Sequence, residues 1–141
     1  MHRVLLIMVV LLLSITGKGW TADFRPGQYE ITSQVQMTGM PEGAIPAQTF
    51  SNCLTEQNPV PSMDASSSGC TIKDFQQNGN TIKWTMACDQ QGQTMTGEGT
   101  MTFSGDTFTG TSTMTMGPQA GNMQVVSRMT GKRTGDCQAT Q

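Results

Sequence analysis

Residues Thr94–Gly117 read "TMTGEGTMTFSGDTFTGTSTMTMG", a stretch built almost wholly from Thr, Met and Gly. Thr alternates with apolar or small residues, the period of a strand with one wet face. Taking Ser104-Gly105-Asp106-Thr107 as a tight turn folds the stretch into a hairpin. Phe103 then faces Phe108, Met101 faces Gly110, Gly99 faces Ser112, Gly97 faces Met114 and Met95 faces Met116. The opposite face carries Glu98 and a series of Thr from Thr94 to Thr115, which suits a solvated strand surface because Thr is β-branched and polar. Continuing past Pro118, Met116 faces Met123, Met114 faces Val125, Ser112 faces Ser127 and Gly110 faces Met129. One face thus stays apolar across three strands, and its large residues repeatedly oppose Gly or Ser, which suits a strongly curved sheet.

The same pattern extends along the chain, with Gly, Pro and Asn at short intervals and no helical period. Strands are expected at Gln28–Met37, Ala47–Leu54, Thr71–Gln77, Thr81–Asp89, Thr94–Phe103, Thr107–Met116 and Met123–Lys132. The fold class is therefore all-β, an antiparallel meander of about seven to eight strands forming a small closed or half-open barrel. Its candidate apolar interior is Trp84, Met95, Met101, Phe103, Phe108, Met114, Met116, Met123, Val125 and Met129. The irregular segment Thr55–Gly69, "TEQNPVPSMDASSSG", is the candidate lid or partner-binding loop.

Residues 1–22 read as a signal peptide. His2 and Arg3 are basic, and Val4–Leu13 is an apolar run too short to span a bilayer. Residues 23–141 would remain as a single β-domain, periplasmic or secreted, with no stable membrane span after signal cleavage. That domain holds six basic and ten acidic residues, a net charge of −4, with no basic run. Nucleic acid is therefore an unsuitable partner.

Cys53, Cys70, Cys88 and Cys137 form an even set in an exported chain, which reads as two disulfides. The segment "CTIKDFQQNGNTIKWTMAC" (Cys70–Cys88) reads as a hairpin. With a three-residue loop Asn78-Gly79-Asn80, Gln76 faces Ile82, Asp74 faces Trp84, Ile72 faces Met86 and Cys70 faces Cys88. A two-residue Asn78-Gly79 turn would set Cys70 against Ala87. The first register brings two Cys within bonding reach. It gives Cys70–Cys88 and, by subtraction, Cys53–Cys137; Cys53–Cys70 with Cys88–Cys137 stays open. That register also places Asp74 on the face of Ile72, Trp84 and Met86, where a carboxylate needs a partner.

The segments "RPGQYEIT" (Arg25–Thr32), "SNCLT" (Ser51–Thr55), "NGNTIKWTMAC" (Asn78–Cys88), "TMTGEGTMTFSGDTFTG" (Thr94–Gly110) and "MTGKRTGDC" (Met129–Cys137) resemble an exported bacterial family catalogued as domain-of-unknown-function family 3617. The first motif departs from that family in carrying Tyr29 where Trp is usual. The resemblance implies a small envelope protein and brings no catalytic residues with it. At the level of fold, Gly27-x-Tyr29 and Arg133 resemble the closing pair of calycin-type barrels, in which a guanidinium stacks on an aromatic ring.

The only His is His2, within the signal segment, so residues 23–141 offer no His-dependent triad, Cys-His pair or His-ligated metal. No catalytic residue and no cofactor is assigned. A carboxylate-dependent hydrolase, the less favoured reading, would place Glu98 or Asp106 in a cleft; Glu30 and Asp74 lie on other strands. Ten Met accompany a single Leu beyond residue 22. Thioethers bind Cu(I) in an oxidising compartment, and Met114-x-Met116 has suitable spacing. Met also fills irregular cores and makes adaptable binding surfaces. The leading expectation is a non-enzymatic binding module for an apolar small molecule or an envelope protein partner; the alternative is a Met-based Cu(I)-binding protein. Nothing in the sequence specifies an oligomeric state.

Overall fold

The computed structural model describes residues 24–61, 69–90 and 92–138. The signal segment expected at residues 1–22 lies outside them. Seven strands form one antiparallel sheet: β1 (Gly27–Met37), β2 (Gln48–Leu54), β3 (Cys70–Asn78), β4 (Thr81–Gln90), β5 (Gln93–Ser104), β6 (Thr107–Met116) and β7 (Gln124–Gly135). A 3-10 turn, Pro118–Ala120, links β6 to β7. The strand order is β2-β1-β7-β6-β5-β4-β3, so the meander from β3 to β7 continues onto β1 and leaves β2 and β3 as free edges among the described residues. The sheet is a half-open barrel, not a closed one.

The β5–β6 register follows the alternation of the Thr-Met stretch. Phe103 pairs with Phe108, Met101 with Gly110, Gly97 with Met114 and Met95 with Met116. The β6–β7 register sets Gly110 against Met129, Ser112 against Ser127 and Met114 against Val125. Gly105 carries φ +60° at the first central position of the β5–β6 turn, which Gly fills without a steric cost. On the wet face, a row of cross-strand partners runs Thr49–Thr32–Thr130–Thr109–Thr102–Thr81 through six strands. Two of its pairs share hydroxyl hydrogen bonds of 3.1 Å, Thr32 with Thr49 and Thr81 with Thr102.

The β3–β4 hairpin departs from its expected register. Its turn is Gly79-Asn80, with φ +59° at Gly79, and Asn78 pairs with Thr81. Phe75, not Asp74, therefore faces Trp84, and Asp74 faces Thr85. A β-bulge at Lys73 then takes up one residue and restores Ile72 opposite Met86 and Cys70 opposite Cys88. The bulge removes the Asp74 conflict. Asp74 moves to the wet face, where its carboxylate accepts a 3.1 Å hydrogen bond from Thr85 Oγ1. The disulfides are Cys70–Cys88 and Cys53–Cys137.

Packing is concentrated at the barrel end near the β5–β6 turn. Tyr29, Ile31, Leu54, Met101 and Phe103 are wholly buried there, joined by Ile82, Trp84, Phe108 and Met129. Ring centroids lie 4.5 Å apart for Phe24–Phe103, 5.6 Å for Phe103–Phe108 and 5.7 Å for Tyr29–Phe108. These rings fit because the neighbouring strand offers Gly: a β-carbon on Gly131 would sit 2.1 Å from Phe108, and one on Gly99 would sit 2.2 Å from Trp84. Pro59, Val60 and Pro61 are buried, with Val60 in the core cluster. The front of the Thr55–Gly69 segment therefore packs as part of the core; residues 62–68 lie outside the described residues.

Candidate functional site

The two halves of the inner face differ in burial. Trp84, Met101, Phe103, Phe108 and Met129 form the solid end. Met95, Met114, Met116, Met123 and Val125, all assigned to the interior from sequence, are only half-buried and line the other end. Buried Ser33 and Ser127 share a 2.8 Å hydroxyl hydrogen bond between the two zones.

Strand β3 is exposed along its length after Cys70. As an edge strand it presents to solvent the backbone groups that do not pair with β4. Ile72 and Phe75 both belong to the inner face by register, yet remain 42% and 44% exposed. The bulge at Lys73 is the reason they share a face, since residues three apart on a regular strand point to opposite sides. Opposite Phe75 is Trp84, 3% exposed, whose indole Nε1–H has no hydrogen-bond partner among the described residues. Sequence reasoning passed over Ile72 and Phe75 as site residues; their signal was an apolar pair on opposite sides of a Lys-Asp step, which becomes one-sided only with a bulge.

A concavity of about 500 Å³ lies on the wet face. It is lined by Asp74, Gln76, Lys83, Thr85, Glu98, Thr100, Thr111 and Thr113, with Trp84 and Gly99 between them. Glu98 is exposed within this trough. Asp106 lies elsewhere, at the β5–β6 turn, in a 3.0 Å ion pair with Arg25. The structure thus does not bring Glu98 and Asp106 into one cleft. A smaller cavity of about 160 Å³ lies against Met95 and Met116 at the loose end of the barrel.

Tyr29 and Arg133 are cross-strand partners. The Tyr29 hydroxyl donates to the Arg25 carbonyl at 2.8 Å, and its ring packs on Phe108. Burial pushes the Tyr29 phenol above its ordinary value, opposed by the positive charge of Arg133. Arg133 Nε donates to the Pro26 carbonyl at 3.0 Å, and its guanidinium also pairs with Asp136. Arg133 therefore ties the end of β7 to the chain entering β1 through hydrogen bonds and an ion pair.

The profile of a family described as Protein of unknown function (DUF3617) matches residues 24–137. The chain belongs to this family. Searches of curated proteins and of solved structures return no match.

Proposed function

We propose that this chain is an exported, non-enzymatic binding module that engages another polypeptide of the cell envelope along β3. The observation that carries this reading is the free, nine-residue β3 edge with Ile72 and Phe75 exposed on one face. An extended segment can add to such an edge through main-chain hydrogen bonds, with alternate side chains giving specificity. A partner with apolar residues at every second position would cover Ile72 and Phe75. Cys70–Cys88 staples the start of β3 to β4 and keeps the template in place when it is unoccupied.

The test uses a photo-crosslinking residue at position 75 and, as a control, at Thr111 on the wet face, each in the protein within its own envelope. The expected result is a discrete protein adduct from position 75 alone, accompanied by protection of the β3 amides from hydrogen exchange. Adducts only with lipid or small molecules, or the same adducts from both positions, would overturn the reading.

A further inference from the structure

The methionines of the inner face from β4 to β7 differ in burial. Met101 and Met129 are buried at 0% and 6% exposure, as core packing requires. Met86, Met95, Met114, Met116 and Met123 are half-buried, Met86 where it packs against the core cluster and the others toward the loose end. At the centre of this second group is Gly97, which pairs with Met86 on one side and Met114 on the other. The point where its β-carbon would sit is 3.3 Å from the Met86 sulfur and 3.1 Å from the Met114 sulfur. Two thioethers from opposite strands thus lie side by side over the bare backbone of Gly97, with Met86 Cγ also 2.9 Å from that point. One alternation further along, Met95 and Met116 oppose each other directly and border the cavity of about 160 Å³.

We infer that Met86, Met95, Met114 and Met116 form a binding site for a soft monovalent cation, Cu(I) or Ag(I). Thioether sulfur is a soft, uncharged donor that prefers such ions to Zn²⁺, Mg²⁺ or Ca²⁺. Met side chains are unbranched and can swing their sulfurs onto a common centre at little cost in packing. Gly97, having no side chain, lets the Met86 and Met114 sulfurs come together across β5. The site is independent of the β3 edge proposed for protein binding, and the ion binds with no change of oxidation state.

The experiment titrates the full-length chain with Ag(I), and with Cu(I) under anaerobic reduction mild enough to leave both disulfides intact, as checked by thiol assay. Binding is followed by calorimetry and by NMR of methyl-labelled Met. The expected result is one saturable site, with shifts confined to the four Met methyls and none at Met40, which is 49% exposed in a loop. Met86→Leu with Met114→Leu nearly conserves volume, and should weaken binding by at least about 100-fold, beyond what loss of supporting groups alone produces. Met40→Leu should leave the affinity unchanged. Absence of saturable binding to the wild type, shifts spread equally to Met40, or an unchanged affinity in the double Leu variant of native circular dichroism would overturn the inference.

Discussion

Gly131→Ala should be among the most damaging single-methyl changes in this molecule. Gly131 lies between Ile31 on β1 and Phe108 on β6. A β-carbon there would stand 2.1 Å from Phe108 Cε1, while ordinary contact begins at 3.4 Å, so the ring must withdraw by 3.4 − 2.1 = 1.3 Å. It has nowhere to go: Phe108 is 2% exposed and packs on both Tyr29 and Phe103. Overpacking of a dense core costs about 1–3 kcal/mol, and displacing three interlocked rings puts this site near 3. Restricting the unfolded chain by exchanging Gly for Ala returns about 0.4–1 kcal/mol. The net loss is about 2 kcal/mol, or roughly 8 °C in Tm for a domain of this size. Urea unfolding measures it as a lower midpoint at unchanged slope. Gly135→Ala is the control, because nothing lies within 4 Å of its β-carbon position. In a double-mutant cycle, Phe108→Leu should recover about 1 kcal/mol of the Gly131→Ala loss. A Gly131→Ala protein within about 0.5 kcal/mol of wild type, or a loss that Phe108→Leu does not lessen, would refute the account of close ring–glycine packing.

Tyr29 is the only Tyr, so tyrosinate absorbance reports it alone. Because burial raises its pKa in the folded state, its contribution to stability is complete below pH 10 and is lost as pH rises through the raised value. Tyr29→Phe should flatten that alkaline loss; an equally steep loss in the variant would contradict it. Replacing Cys53 and Cys137, which are 84 residues apart, should cost about 4–5 kcal/mol, against about 3 for Cys70 and Cys88, 18 apart. Equal shifts in the urea midpoint would show that loop length does not govern these bridges. Phe75→Glu should leave folding stability within about 0.5 kcal/mol, since the ring is exposed, while abolishing any complex formed along β3. Retention of such a complex in native mass spectrometry would count against the β3 site.

The β5–β6–β7 registers were legible because Thr alternates with apolar or small residues through Thr94–Gly117, and several large inner-face residues, such as Met101, Met114 and Met129, oppose Gly. A one-residue slip would turn the Met and Phe side chains to water and Thr to the core. The β3–β4 register was not legible in full. The sequence offers Asn78, Gly79 and Asn80 as turn residues, and only the positive φ of Gly79 decides among them. The bulge sits at Lys73, a residue type that does not mark bulges as Gly does. The cystine pair survived because the bulge restores the offset that the shorter turn removes. The burial of Pro59–Pro61 was also hidden. Two prolines in a polar segment read as loop, and only Val60 between them hinted at a packed arm. The half-buried state of the outer Met cluster could not be read, since alternation reports which face a side chain takes and not how deeply that face is covered.

The two free edges of the sheet are finished differently, and the difference bears on function. Along β2, Leu54 is wholly buried, Phe50 packs against the core, and the arm that follows places Val60 in the same cluster. Burial of these side chains, together with the Cys53–Cys137 bridge to the C-terminal segment, holds that edge. Along β3, Ile72 and Phe75 gain little from burial, and the strand is held by its ladder with β4 and by Cys70–Cys88. Natural edge strands are commonly blunted by charge or by a bulge that twists them away. Here Lys73 and Asp74 supply charge at the bulge, but the same bulge gathers the two apolar side chains onto one face. Protection alone gives no reason for that alignment, whereas a partner strand of the kind proposed for this edge would cover both side chains at once.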